Sequence, residues 1–173
     1  MPAQFKPYGN PVPPYNPADW TAGDHNEARF AFPIKPVFEL ITHAKYWTEW
    51  HTASKAVGGV TERAYTLGDL VYEYGEYDDG TKHHMFWVVA AQDREGYTLS
   101  VLIAEEQRVG LRYLLREEGG VTHFARETIY HRDSAYSAQA RAEFGAASKV
   151  SVANLEKQIT ALLEKEYSSI PKV

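Results

Sequence analysis

The chain has 173 residues, of which 44% are hydrophobic and 24% charged, so it is long and apolar enough to bury the core of a globular domain. A formal net charge of −5 argues against nucleic acid as a partner, and the lack of cysteine excludes disulfides, a thiolate nucleophile and cysteine-bound zinc. The sequence has no apolar run near the roughly 20 residues of a membrane span and no signal-peptide pattern, so we expect a cytoplasmic protein.

Residues 1–22 form a proline-rich N-terminal extension, which we predict to lie outside a domain at residues 23–170. Six of the nine prolines of the chain fall in this segment, and proline at that density blocks helices and central strands. Its four aromatic side chains are unusual for an inert linker. We expect them to pack on the domain itself or on a second copy in a homodimer, and the alternative is a lid over a ligand. The four residues are Phe5, Tyr8, Tyr15 and Trp20.

The next segment predicts a strand followed by two short helices. Residues 26–32 alternate between apolar and polar side chains, as in a half-buried strand, and Pro33 ends the pattern. Apolar residues then recur at helical spacing from Val37, and Trp47 and Trp50 share one face of a second short helix.

A long antiparallel meander and a terminal helix fill the rest of the chain. After a turn at Gly58-Gly59 the apolar period is two for about seventy residues, and glycine-containing turns divide this region into strands. From Ala146 an apolar stripe at helical spacing predicts an amphipathic helix of roughly twenty residues that ends before Pro171. The predicted strands are residues 61–65, 68–77, 82–92, 97–106, 108–118 and 121–132.

Several of these motifs occur in a recognisable order. A strand leads through Pro33 to a helix and the Trp-x-x-Trp pair, Gly68 opens a strand, a hairpin at Gly119-Gly120 joins the last two strands, and a long helix follows. Over about residues 24–167 this order resembles the START and polyketide-cyclase superfamily, also called SRPBCC or helix-grip. The resemblance implies an α+β helix-grip fold. A curved antiparallel sheet of six to seven strands would wrap around a long C-terminal helix, with two short helices after the first strand.

The resemblance also implies an internal cavity that takes a hydrophobic or aromatic small molecule and needs no cofactor. Because strand residues alternate between two faces, we expect the more apolar face of each strand to line that cavity. The alternative is that the same side chains fill a solid core. The candidate ligand-binding residues are Trp47, Trp50, His51, Tyr72, Tyr74, Met85, Trp87, Leu99, Tyr113 and Phe124.

The last predicted strand carries charged residues on both faces, so it brings a charge inward in either orientation. His123 and Glu127 share one face, where they could act as base and acid. Arg126 and Tyr130 share the other, where they could hold a carboxylate, phenolate or enolate. Phe124 lies on the arginine face and favours it as the inner one. All four charged or phenolic residues remain candidate catalytic groups.

No metal site is predicted, because His83 and His84 are adjacent in a strand and point to opposite faces. Two functions fit the chain. The protein could carry or sense an apolar ligand without altering it, or it could be a cofactor-independent cyclase, dehydratase or lyase acting by proton transfer. A third reading is a partner-binding module that uses the aromatic extension.

Overall fold

The computed structural model describes residues 14–168 and two short strands before them, β1 (Gln4–Phe5) and β2 (Pro11–Val12), which pair antiparallel. The side chains of Phe5 and Tyr8, for which docking is predicted, lie outside this described part of the chain.

Within the described residues the main sheet has eight strands, and all of its pairs are antiparallel. The order across the sheet is β3-β10-β9-β8-β7-β6-β5, with β4 pairing to β10 beside β3. Register shifts in β5 and β7 add local bends. The strands are β3 (Trp20–Ala22), β4 (Asn26–Phe30), β5 (Ser54–Gly59), β6 (Leu70–Glu76), β7 (Lys82–Gln92), β8 (Leu99–Ala104), β9 (Val109–Glu118) and β10 (Val121–His131).

Three α-helices complete the described fold: α1 (Ile34–Ile41), α2 (Trp47–Trp50) and α3 (Ala138–Ser168). The long helix α3 packs against β4, β10, α1 and α2, and its buried side chains include Val152, Leu155, Ile159 and Leu163. No helix among these residues combines the length and the hydropathy needed to cross a bilayer. The predicted α+β architecture, with two short helices after an early strand and a long C-terminal helix, is confirmed.

The helix α3 begins eight residues earlier than predicted, at Ala138 instead of Ala146. Ser137 caps this end, because its Oγ accepts a hydrogen bond from the backbone N–H of Ala140 at 3.1 Å. Alanines alternate with polar side chains at the start of the helix, and none of residues 138–145 is buried, so no apolar stripe marks these turns. The periodicity therefore identifies only the part of the helix that packs on the apolar core.

The strand count of six to seven is too low, because two segments join the sheet that were predicted as something else. Gly58-Gly59 is the end of β5 and not a turn: Gly59 has a φ of +79°, and a side chain there would overlap the carbonyl of Leu70 on β6. The predicted strand at residues 61–65 is a loop. Its Tyr65 is fully buried and donates its backbone N–H to the carbonyl of Thr42 at 2.9 Å.

The second added strand is β3, which pairs with residues 129–131 of β10 from inside the predicted extension. Tyr15 and Trp20 pack with Leu99 over a small apolar cluster on the outer face of the sheet, formed by Ala90, Val101, Ile103 and Ile129. A domain boundary after residue 22 would therefore assign β3 to the extension, although this strand belongs to the main sheet.

Candidate functional site

A cavity of about 220 Å³ lies between the inner face of the sheet and the first half of α3. Its apolar walls come from β7, β9 and α3 and include Met85, Trp87, Leu111 and Phe144. The lining residue Thr52 is exposed, so the cavity reaches solvent beside the segment between α2 and β5.

Two histidines, a glutamate and an arginine converge on this cavity: His51, His83, Glu73 and Arg126. All but His83 are at least nine-tenths buried. Burial of this many titratable groups in one apolar space is costly unless they pair with one another or with a ligand. Their mutual contacts therefore define what the site can do.

Glu73 is the centre of this cluster, and it projects inward from β6. Its Oε2 accepts a hydrogen bond from Nε1 of Trp87 at 2.8 Å, and its Oε1 accepts one from the hydroxyl of Ser54. Nδ1 of His51 and Nε2 of His83 lie 3.7 and 3.9 Å from Oε1. Burial alone would raise the pKa of Glu73, but the neighbouring His51, His83 and Ser54 outweigh it and hold the pKa well below its usual range.

His51 follows directly after α2, where its ring stacks on Trp47 with 5.0 Å between ring centroids. With Nδ1 facing Glu73, its Nε2 is buried and has no hydrogen-bond partner among the described residues. Burial lowers the pKa of His51 below its ordinary value, although Glu73 acts in the opposite direction. Burial therefore favours the neutral imidazole, which has a free nitrogen in a buried position.

His83 occupies the space that Gly75 leaves on the neighbouring strand β6. The two residues pair across the strands, and a Cβ at position 75 would overlap the imidazole ring. Its Nδ1 is buried without a hydrogen-bond partner in the described part of the chain. Tyr77 also packs on this ring, with 4.9 Å between the ring centroids.

Arg126 enters the cavity from β10, and Nη1 donates a hydrogen bond to Oγ of Ser148 on α3 at 2.7 Å. Ser148 is also 3.4 Å from Oδ1 of Asp24. Among the described residues, the buried Nε of Arg126 has no hydrogen-bond partner, and no carboxylate lies within ion-pair distance of the guanidinium. A buried cation in that state is suited to an anionic or strongly polar ligand atom.

Among the candidate residues from the sequence, the structure places four in the wall of the cavity: His51, Met85, Trp87 and Arg126. Five more are buried on the inner side without forming its wall: Trp47, Trp50, Tyr113, Phe124 and Tyr130. Trp47 stacks on His51, and Trp50 stacks on Tyr46. Tyr113 contacts Phe124, and Tyr130 packs on the cavity residue Tyr136.

The other five candidates lie on the outer face of the sheet. Tyr72 and Tyr74 belong to the outer face of β6, where each of the two tyrosines contacts His84. Tyr72 also packs on Phe86. Leu99 packs in the small outer cluster. On β10, His123 and Glu127 point away from the cavity because Arg126 points into it. Since an outer side chain cannot reach the cavity, the assignment of Tyr72, Tyr74, Leu99, His123 and Glu127 to it is corrected.

The sequence analysis missed Glu73 and did not include His83 among the candidate site residues. The rule that the more apolar face turns inward selects Tyr72 and Tyr74 on β6, but the inward residues are Val71, Glu73 and Gly75. Within the described residues, no group of three histidine or acidic side chains has the arrangement of a metal site.

Comparison of the sequence with protein-family models and with curated proteins gives no match. Solved structures do match. Ara h 8.0201 superposes with a TM-score of 0.60 at 13% identity, over 82% of this chain and 99% of that one. The KanY protein gives 0.63 at 9% identity, over 80% and 97%. The protein has the helix-grip fold.

A third match is the di-domain ARO/CYC protein BexL from the BE-7585A biosynthetic pathway. It superposes with a TM-score of 0.55 at 16% identity, over 82% of this chain and 50% of that chain. At these identities the likeness establishes the helix-grip fold, which the sequence motifs predicted, and the chemistry has to be argued from the cavity itself.

Proposed function

We propose that the protein binds a small, mainly apolar molecule in the cavity beneath α3, with a carboxylate or carbonyl oxygen of that molecule against Arg126. The observation that carries this proposal is the buried guanidinium, which has an unpartnered Nε and no carboxylate within ion-pair distance among the described residues. A ligand oxygen would supply the missing partner, and the low dielectric of the site would strengthen the contact.

The size of the cavity limits the ligand. Small-molecule sites usually occupy roughly 300–1,000 Å³, and this one measures about 220 Å³. An apolar cavity of about 150 Å³ accommodates benzene. The present cavity therefore suits about ten non-hydrogen atoms, such as one aromatic ring with a short oxygen-bearing side chain.

The walls fit the same class of ligand. Met85, Trp87, Leu111 and Phe144 provide apolar and aromatic surface, and the ionisable groups concentrate around Glu73 and Arg126. BexL, a di-domain ARO/CYC protein of a biosynthetic pathway, has the same fold, which supports a role in small-molecule chemistry for a fold of this kind. Tyr15 and Trp20 pack on their own sheet, which supports a structural role for this part of the extension over a partner-binding one.

Calorimetric titration with phenylacetate, which has one aromatic ring and one carboxylate, tests the proposal. Native mass spectrometry of the protein beforehand would identify any molecule that co-purifies and has to be removed first. We expect saturable binding by the unaltered protein and at least tenfold weaker binding by Arg126→Met. Arg116→Met is the matched control, because Arg116 is exposed and pairs with Glu118 outside the cavity. Equal affinity of the unaltered protein and Arg126→Met, or no saturable binding at all, would contradict the proposal.

A further inference from the structure

We infer that the same cavity catalyses proton transfer, with Nε2 of His51 as the base that removes a proton from the carbon next to a ligand carbonyl. This inference rests on the proposed function, because it needs a ligand whose carbonyl oxygen lies at Arg126. It narrows the ligand class to small enolisable ketones or aldehydes and assigns roles to His51, Glu73 and Arg126.

Glu73 fixes the orientation and tautomer of the imidazole. Trp87 and Ser54 hold the carboxylate in place by hydrogen bonds, and Oε1 lies 3.7 Å from Nδ1 of His51. An imidazole nitrogen that faces a carboxylate carries the proton, so the lone pair of His51 lies on Nε2. The negative charge of Glu73 also stabilises the imidazolium that forms when Nε2 accepts a proton.

The ring of His51 is fixed in position, and its Nε2 is available to a ligand. Nε2 of His51 is buried and unpartnered in the described part of the chain, while the ring is clamped by its stacking on Trp47. A polar atom in that position costs stability unless a ligand approaches it. The groups that face the imidazole are Glu73, His83 and Arg126.

Arg126 supplies the complementary part of the reaction. When the carbon–hydrogen bond breaks, its electron pair forms a carbon–carbon double bond and the carbonyl π pair moves onto oxygen. The resulting enolate oxygen would lie against the guanidinium, which Ser148 holds at 2.7 Å. The proton rests on Nε2 of His51 and returns to carbon in the reverse step, so no redox partner or second reactant is needed.

His83 is the competing candidate for the base, since its Nε2 lies 3.9 Å from the same carboxylate oxygen and its Nδ1 also lacks a hydrogen-bond partner within residues 14–168. Its side chain is 18% exposed, compared with 7% for His51. The deeper imidazole is better shielded from water, and the ring of His83 is positioned by Gly75 and Tyr77 instead. We therefore assign the base to His51 and leave His83 to support Glu73.

Deuterium exchange of phenylacetone tests the inference. Protein and phenylacetone are incubated in D₂O near neutral pH, and loss of the methylene signal is followed by NMR. We expect the unaltered protein to accelerate exchange, and His51→Gln and Glu73→Gln to reduce the acceleration by about 10²–10⁴-fold, as for loss of a general base. His83→Gln should reduce it by less than tenfold. Circular dichroism checks that each variant is folded, and if Glu73→Gln is not, His51→Gln still tests the base.

The outcomes separate this inference from the proposed function. Binding of phenylacetate without any acceleration of exchange would overturn proton transfer and leave small-molecule binding intact. Absence of both would remove both proposals. Full exchange activity in His51→Gln together with its loss in His83→Gln would overturn the assignment of the base.

A pH profile provides a readout that a merely structural effect would not give. Because burial lowers the pKa of His51, we expect the exchange rate to be constant through neutral pH and to fall only in more acidic solution, below the ordinary pKa of histidine. A rate that still rises steeply between pH 7 and 9 would contradict a neutral His51 as the base.

Discussion

Arg126 and Glu127 are consecutive residues of β10, and their charged groups lie on opposite sides of the sheet. Arg126 donates to Ser148 of α3 inside the cavity, and Glu127 accepts from Arg112 on the outer face at 2.6 and 2.7 Å. Nδ1 of His25 is 2.8 Å from the other oxygen of Glu127. One strand therefore supplies a ligand-facing cation and, one residue later, the anion that ties the N-terminal segment to the sheet.

Loss of the outer anion should reduce stability without reducing ligand affinity. We expect Glu127→Ala to lower the free energy of unfolding by about 2–3 kcal/mol, because it leaves the half-buried guanidinium of Arg112 without its carboxylate. Urea denaturation measures the change, and phenylacetate titration of the folded variant should give an affinity near that of the unaltered protein. Arg116→Ala is the control: its pair with Glu118 is fully exposed to solvent, so its loss should change stability little. A large loss of phenylacetate affinity in Glu127→Ala would contradict the view that Glu127 stabilises the outer face and has no role in ligand binding.

Replacement of Arg126 should have the opposite effect, because it should abolish ligand binding without reducing stability. Arg126 is buried without an ionic partner in the described residues, so Arg126→Leu removes a desolvation cost and loses one hydrogen bond, to Ser148. We expect a melting temperature equal to or above that of the unaltered protein, together with loss of phenylacetate binding. Such a gain is typical when a functional group is held at the expense of stability. A fall of several degrees would show that Arg126 serves the fold instead.

Gly75 should control the position of His83. A methyl group at residue 75 would overlap the imidazole ring, so Gly75→Ala has to displace His83 or the strand. We expect a loss of about 1–3 kcal/mol in the free energy of unfolding, as for overpacking of a core. The ring C–H signals of His83 should shift in NMR spectra.

Gly58→Ala on the neighbouring strand is the matched control. The nearest atom to a Cβ there is Cδ1 of Tyr72 at 3.7 Å, which is an ordinary contact. Its stability should change by less than about 0.5 kcal/mol, as for a substitution without a clash. Equal stability of the two variants would contradict the predicted packing of His83 on Gly75.

His25 should make the stability of the protein depend on pH. Its hydrogen bond with Glu127, and to a lesser extent that with Glu27, raises the pKa of His25 above its ordinary value. A group whose pKa is raised by folding stabilises the folded state in full below its unfolded pKa, and the contribution is lost as pH rises through its folded pKa. We therefore expect His25→Gln to be destabilising at pH 5.5 and nearly neutral at pH 8.5 in urea denaturation. The same loss at both values would show that the charge of His25 does not matter.

The sequence orients β7 correctly, with Met85 and Trp87 inward, but it orients β6 wrongly. The turn between β6 and β7 pairs Glu73 with Met85 and Gly75 with His83. Paired residues of an antiparallel ladder share a face, so an inward Met85 requires an inward Glu73. The register of this hairpin would therefore have predicted that Glu73 points inward. A comparison of how apolar the two faces are cannot find a buried glutamate whose partners come from other parts of the chain.

The apolar-face rule fails on β8 for a different reason. Leu99, Val101 and Ile103 look like an inner face, but they face the outer cluster, and Leu102 and Ala104 belong to the main core. Both faces of β8 are covered, one by the main core and the other by Tyr15 and Trp20. A strand buried on both sides has no polar face from which to read its orientation. The role of the extension had to be known before the strand could be oriented.

The attachment of β3 has a practical meaning for shortened forms of this protein. Removal of the residues up to Ala22 would uncover Val101, Ile103 and Ile129 and would also free the hydrogen-bonding edge of β10 at residues 129–131. Exposed apolar surface next to an unpaired strand edge promotes edge-to-edge pairing between molecules. A protein trimmed to its recognisable domain should therefore self-associate, and its aggregation would reflect a lost strand and not an unfolded cavity.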